Sequence, residues 1–218
     1  LFCPHLLFKF APGQVDHHNL DIILILSAVG FTTQMFARPE KTAWAMAAGG
    51  AFALALSIGL EALPWMTLAS AMIGLWMAVT GPKAARSGLY FGLALLTFGT
   101  AFLALLKPAA QIFTPDLLSY SFAYVALMAG IAAALGLAAV FTRFSSVYTR
   151  IGLSGLYAAA LGVAYLIFFP ELLAGPYGAM NKTLADLFFA NLSEAVPLFA
   201  RVGFFRGLMY MVTPILAL

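Results

Sequence analysis

Long apolar runs constrain what this chain can fold into more than any other feature. They recur between charged or proline-containing breaks at roughly 20–37, 42–60, 64–80, 88–106, 120–141 and 151–169. A helix needs about 20 apolar residues to cross the hydrocarbon of a bilayer, and these runs lack the strict alternation that a membrane barrel requires. The sequence therefore predicts an all-α polytopic membrane protein with six complete spans.

The composition and the chain ends complete this picture. Of the 218 residues, 63% are hydrophobic and 9% are charged, whereas soluble domains carry about 25% charged residues. The chain starts at Leu1 rather than Met, and a seventh apolar run, 203–218, stops at Leu218. We expect a fragment, with residues 1–218 forming a single transmembrane domain of about seven spans. The lone Cys3 can build neither an internal disulfide nor a thiolate metal site, and no basic tract indicates nucleic acid.

Charged residues sort to the two sides of the predicted bundle. With Asp16 outside, the inside carries one acid, Glu40, and six cations: Arg38, Lys41, Lys83, Arg86, Arg143 and Arg150. The outside then holds seven acids: Asp16, Asp21, Glu61, Asp116, Glu171, Asp186 and Glu194. The positive-inside rule favours this orientation, which predicts that the acids lie on the extracytoplasmic side. Because six spans separate Asp16 from Glu194, both lie on that side.

The last external segment, 170–202, is the longest predicted loop. Loops of this length are usually functional or disordered, and its four aromatic residues argue against disorder. We expect one or two short interfacial helices in it. It contains Glu194 and Arg201, and Arg206 follows it. Both arginines are candidates for contacts with a lipid phosphate, although anchoring to headgroups is the commoner role.

Asp16 and His18 form the first candidate site. In an extended loop, residues two apart project to the same side, so a carboxylate and an imidazole can bind one cation. If the helix has already begun, the pair His17 and Asp21 shares a face instead. The plain alternative is that Asp16 caps the following helix. An N-cap, however, needs no histidine.

Glu194 and Glu61 also have structural alternatives. Asn191 followed by Glu194 is close to a capping box. Glu61 ends an apolar run, where a carboxylate is either solvated or, if tucked into the bundle, a functional candidate. The sequence does not choose between these two roles for Glu61. The small residues near Gly130 and Gly152 predict close helix packing.

The motifs Val15-Asp16-His17-His18 and Asn191-Leu192-Ser193-Glu194 together resemble the catalytic-subunit family of oligosaccharyltransferases and related bacterial GT-C membrane glycosyltransferases. In that family an Asp-x-Asp, Asp-x-Glu or Asp-x-His motif follows the third span. A Ser-Val-Ser-Glu or Thr-Ile-x-Glu motif lies in the long external loop between the ninth and tenth. Six spans separate the two motifs here, as that layout requires. Asn191 departs from the family pattern.

The resemblance implies a role for each matching residue. Asp16 and His18 would be metal ligands, Glu194 would be the loop glutamate that joins them, and Asp16 and Glu194 would be the catalytic acids. His17 would be the variable middle residue, on the substrate side. The family's first catalytic acid would precede Leu1, and its acceptor-recognition motif would follow Leu218.

The expected function is transfer of a sugar or oligosaccharide from a polyprenyl-linked donor to an acceptor protein or glycan. It would take place on the extracytoplasmic side of a bacterial inner membrane. A divalent metal, Mn²⁺ or Mg²⁺, would neutralise the charge on the leaving phosphate. The competing class is a polytopic transporter or lipid flippase, which should carry carboxylates near the bilayer midplane. A third possibility is a scaffolding membrane subunit, whose loop acids would tolerate substitution.

Overall fold

The computed structural model describes residues 17–174 and Thr183. Six helices make up most of this part of the chain, and it contains no strand: α1 (His17–Ala37), α2 (Thr42–Ile58), α3 (Leu63–Thr80), α4 (Pro82–Leu106), α5 (Phe122–Phe141) and α6 (Val147–Phe168). Short 3-10 turns occur at Leu60–Ala62, Ala109–Gln111 and Pro170–Ala174. The prediction of an all-helical chain is confirmed for these residues. The run 203–218 and most of the loop 170–202 lie outside them.

Five of the six helices are long and apolar enough to cross a bilayer. The exception is α2, which has 17 residues and is an apolar helix at the lower end of the spanning range. Such helices satisfy every backbone polar group internally, which hydrocarbon demands. The chain is therefore a multi-pass membrane protein.

Glycine and proline set the boundary between α3 and α4. Gly81 has φ +78°, a conformation that other residues rarely adopt, and its N–H donates to the Met77 carbonyl to close α3. Pro82 then begins α4, where the missing N–H costs nothing because it would have no helical partner. A single residue therefore reverses the chain between two spans.

The centre of the bundle is the contact between α2 and α4. A Cβ built on Gly49 would lie 2.5 Å from the Phe91 carbonyl oxygen and 2.9 Å from the Leu95 nitrogen. The two backbones therefore touch with no side chain between them. Phe52 and Phe91 pack edge to face beside this contact, with ring centroids 6.3 Å apart. On either side, α1 packs on α2 and α5 packs on α4, whereas α6 packs against α5 and α3 among the described helices.

The expectation of close packing at Gly130 and Gly152 is wrong in the described part of the chain. Nothing there lies within 4 Å of a Cβ built on either glycine. Close approaches occur instead at Gly49 and at Gly92, whose added Cβ would stand 3.0 Å from the Ala132 Cα on α5. Small residues at short spacing line a groove on α5 and α6 rather than a tight helix contact.

Successive helices alternate in direction because short connections join packed neighbours. One end of the bundle, called here the acidic end, holds the start of α1, the turn 59–62, the connection 107–121 and the turn after α6. The opposite, cationic end holds the connections 38–41 and 142–146 and the turn at Gly81. Lys41 and Arg143 lie in those connections at the cationic end, and Glu61 and Asp116 lie at the acidic end.

Candidate functional site

The candidate site lies at the acidic end, where the first turn of α1 meets the turn between α2 and α3. His18 Nδ1 lies 2.9 Å from Glu61 Oε2. The His18 side chain is 15% exposed and that of Glu61 is 60% exposed. The two residues are 43 positions apart in sequence, so the fold rather than local geometry brings them together.

The direction of the His18–Glu61 hydrogen bond follows from its acceptor. An ionised carboxylate can only accept hydrogen bonds, so the imidazole donates from Nδ1 to Glu61. A carboxylate that fixes one ring nitrogen is the usual support for a histidine that binds a metal through the other. The contact with Glu61 is of the kind that orients a metal-binding histidine.

Asp21 lies one turn further along α1 and is only 1% exposed. Its carboxylate packs against the backbone of Gly59, because a Cβ built there would stand 2.9 Å from Asp21 Oδ2. Gly59 has an extended backbone, with φ −145° and ψ 131°, so space rather than conformation calls for glycine. Asp21 and His18 are three apart in a helix and share a face. The cluster therefore joins α1 to the turn 59–62.

A second polar network supports the acidic end in the connection 107–121. Asp116 accepts hydrogen bonds from the Leu118 N–H (2.8 Å) and the Ser119 hydroxyl (2.5 Å). Lys107 Nζ donates to the same hydroxyl at 3.0 Å. Burial raises the pKa of Asp116, but these hydrogen bonds and the charge of Lys107 outweigh it and hold the pKa below its ordinary value. This network shapes the loop 107–121.

The predicted site residues are only partly described. Asp16, Glu194, Arg201 and Arg206 lie outside the described residues, and so does the side chain of His17. The backbone of His17 begins α1. Within 17–174, no group of three His, Cys, Asp or Glu side chains converges as a metal site.

Two members of the cluster go beyond the sequence prediction. The sequence left open whether Glu61 is a solvated carboxylate or a functional one, and the structure shows that it contacts His18. Asp21 carried a recognisable signal, since a carboxylate one turn inside an apolar helix is uncommon unless it serves a function. The sequence alone could not identify Gly59 as the residue against which it packs.

Comparisons of this chain with protein-family models, with curated proteins and with solved structures find no match.

Proposed function

We propose that the chain is the membrane domain of a metal-dependent glycosyltransferase with a GT-C-like helix bundle. Its donor is a sugar or oligosaccharide on a polyprenyl phosphate or diphosphate, and its acceptor is a protein or a glycan. The reaction takes place at the acidic end, on the extracytoplasmic side of a bacterial inner membrane. The observation that carries this proposal is the His18–Glu61 contact beside the buried Asp21.

The donor set suits a hard divalent cation. Carboxylate oxygens with one imidazole nitrogen favour Mn²⁺ or Mg²⁺, and Mn²⁺ tolerates the histidine better. Asp16, His18 and Glu194 would hold the ion. Glu61 would orient the His18 ring through its hydrogen bond with Nδ1. When bound, the metal supplies Lewis acidity and neutralises the charge that develops on the leaving phosphate.

The other residues of the proposed site have separate roles in binding the substrate and positioning the ligands. Glu194 belongs to the segment 170–202, predicted from the sequence to be a loop, and would help to exclude water from a bound substrate. Arg201 and Arg206 contact the lipid phosphate through charge-assisted hydrogen bonds. His17 would be the substrate-binding residue next to the metal ligands. Asp21, buried against Gly59, fixes the first turn of α1 and thereby the position of His18.

The test is turnover of a polyprenyl-linked sugar donor by the full-length protein. Asp16→Ala and Glu194→Ala should each abolish most of the activity, because each removes a ligand. Glu40→Ala, at an exposed position at the cationic end, is the matched control and should retain full turnover. Undiminished activity in both site variants would end the proposal.

One observation favours the competing class, a transporter or flippase. Asp21 is the one carboxylate within the six described helices, and it is buried. Intramembrane carboxylates often couple ion movement to transport. Asp21 lies about 6 Å from the start of α1 rather than at the midplane, which favours a role in a site at the membrane surface. Ion-coupled flux in proteoliposomes that Asp21→Asn abolishes would establish transport instead.

A further inference from the structure

The connection 107–121, which joins α4 to α5 at the acidic end, exposes no charged side chain. Its two charged residues, Lys107 and Asp116, are half-buried. They are linked through Ser119, because Lys107 Nζ donates to the Ser119 hydroxyl at 3.0 Å and that hydroxyl donates to Asp116. The residues that the connection exposes are all uncharged: Pro108, Ala109, Ala110, Gln111, Phe113, Thr114, Pro115 and Leu118.

The connections 38–41 and 142–146 at the cationic end have the opposite character. The first exposes Arg38 and Lys41, and the second exposes Arg143. Exposed charges of this kind are strongly hydrated, so they hold a connection in water. A segment that turns its charges inward and its apolar groups outward matches a less polar environment.

The apolar groups of the connection continue the lipid-facing surface of the helices that it joins. Phe113 is 77% exposed, and its ring packs edge to face on Phe122, the first residue of α5, with centroids 5.7 Å apart. Leu105 and Leu106, which end α4, are also exposed large apolar side chains. Because α4 and α5 are both long and apolar enough to span the bilayer, the exposed side of Phe113 is continuous with surface that meets lipid.

Much of the backbone of the connection finds its hydrogen bonds internally. Four of its N–H groups donate to acceptors within 107–121, and its two prolines have no N–H: the donors are Gln111, Thr114, Asp116 and Leu118, and the prolines are Pro108 and Pro115. A backbone N–H that is already paired loses little when water is scarce. The connection therefore tolerates a position at the edge of the hydrocarbon.

The length of α4 places the connection at that edge. Arg86 is the last charged residue of α4, and about 20 residues, or about 30 Å of helix, separate it from Leu106. The hydrocarbon of a bilayer is also about 30 Å thick. With Arg86 at one boundary, Leu106 lies at the other, and any tilt of α4 moves it deeper. The connection begins with the next residue, Lys107.

We infer that the connection 107–121 lies in the surface of the bilayer at the acidic end, with Phe113 inserted at the boundary between headgroups and acyl chains. Its partner is the lipid, and the attraction is apolar rather than electrostatic because the exposed surface carries no charge. The connection thus adds an interfacial contact to the spanning helices. The inference does not rest on the proposed transferase reaction, so either can fail without the other.

The experiment measures the depth of nitroxide labels by electron paramagnetic resonance on the full-length protein in phosphatidylcholine vesicles. One label at a time is attached at Phe113→Cys, Leu118→Cys or Ser145→Cys, after the native cysteines, Cys3 among them, have been replaced by serine. Ser145 is exposed in a connection at the cationic end and is the matched control. Relaxation of each label by oxygen, which concentrates in lipid, is compared with relaxation by a water-soluble nickel complex.

The label at position 113 should lie about 5–10 Å inside the boundary between headgroups and acyl chains. The label at position 118, which leaves Phe113 in place, should also relax faster with oxygen than with nickel, whereas the label at position 145 should lie in water. Added phosphatidylglycerol should leave these depths unchanged, because no exposed charge attracts an anionic surface.

Two results would overturn the inference. The first is nickel access at positions 113 and 118 equal to that at position 145, which would place the connection in water. The second is a label at position 113 that is immobilised and shielded from both oxygen and nickel, which would show that protein rather than lipid covers this surface.

Discussion

Removing the Glu61 carboxylate should weaken metal binding far more than it weakens folding. The His18–Glu61 hydrogen bond, 2.9 Å long, involves a charged acceptor, and such bonds contribute about 1.5–3 kcal/mol when buried. The Glu61 side chain is 60% exposed, so solvent screening reduces this to about 0.2–1 kcal/mol of stability. The loss of a carboxylate that orients a metal-binding histidine, in contrast, costs about 10–100-fold in metal affinity.

The two substitutions at this position should differ in degree. The amide oxygen of Glu61→Gln can still accept from Nδ1 but carries no charge, so we expect about a tenfold loss of Mn²⁺ affinity, or about 1.4 kcal/mol. Glu61→Ala removes the acceptor altogether and should approach a 100-fold loss. In both variants turnover should recover when the Mn²⁺ concentration is raised by the same factor.

The assay is the Mn²⁺ dependence of donor turnover together with Mn²⁺ titration calorimetry on the full-length protein. Glu171→Gln is the matched control, because Glu171 is an exposed glutamate at the same end of the bundle. It should leave the Mn²⁺ affinity unchanged. If both Glu61 variants bind Mn²⁺ as the wild-type protein does, the supporting role of Glu61 is refuted, whatever their effect on stability.

Three further predictions concern thermal unfolding of the purified protein in detergent. Gly49→Ala should lower the free energy of unfolding by about 1–3 kcal/mol and lower the Tm, because the new methyl group would lie 2.5 Å from a carbonyl oxygen of α4. The control is Gly30→Ala, whose methyl group meets nothing within 4 Å in the described structure and should not destabilise the protein. Tyr165→Phe should cost about 1 kcal/mol by leaving the Ala123 carbonyl without its 3.0 Å hydrogen bond, and an unchanged Tm would contradict this. The ionised Asp116 side chain should stabilise the folded protein fully above its unfolded pKa of about 4, and this stabilisation should be lost as the pH falls through its lower folded pKa. Between pH 5 and pH 2, the Tm of Asp116→Asn should therefore fall less steeply than the Tm of the wild-type protein.

Apolar length predicts the helices well but not where they begin. The run at 88–106 marks the hydrocarbon-facing part of α4, yet the helix begins at Pro82 and includes Lys83 and Arg86. Hydropathy reports contact with lipid, whereas a helix continues through charged residues until a residue such as Gly81 ends it. The same reasoning explains why α6 begins at Val147, ahead of Arg150.

From the sequence, we could predict only that the site residues lie on the same side of the membrane. Counting spans places Glu61 at the same end as His18, but the 2.9 Å contact depends on how α1 packs against the turn after α2. Small-residue spacing at Gly130 equally permits a tight helix contact or a groove, and the choice depends on which face meets a neighbour. Such tertiary information is not local in sequence. The roles of Asp16 and Glu194 stay predictions.

The direct backbone contact at Gly49 also determines which parts of the bundle can move. With no side chain between α2 and α4, there is no rotamer whose change would let one helix slide along the other, and any slide must force the two backbones past each other. Among the described helices, α6 packs mainly on α5 and α3, and less extensively than α2 and α4 pack on each other. We expect microsecond-to-millisecond motions to tilt α6 while the separation of α2 and α4 stays constant.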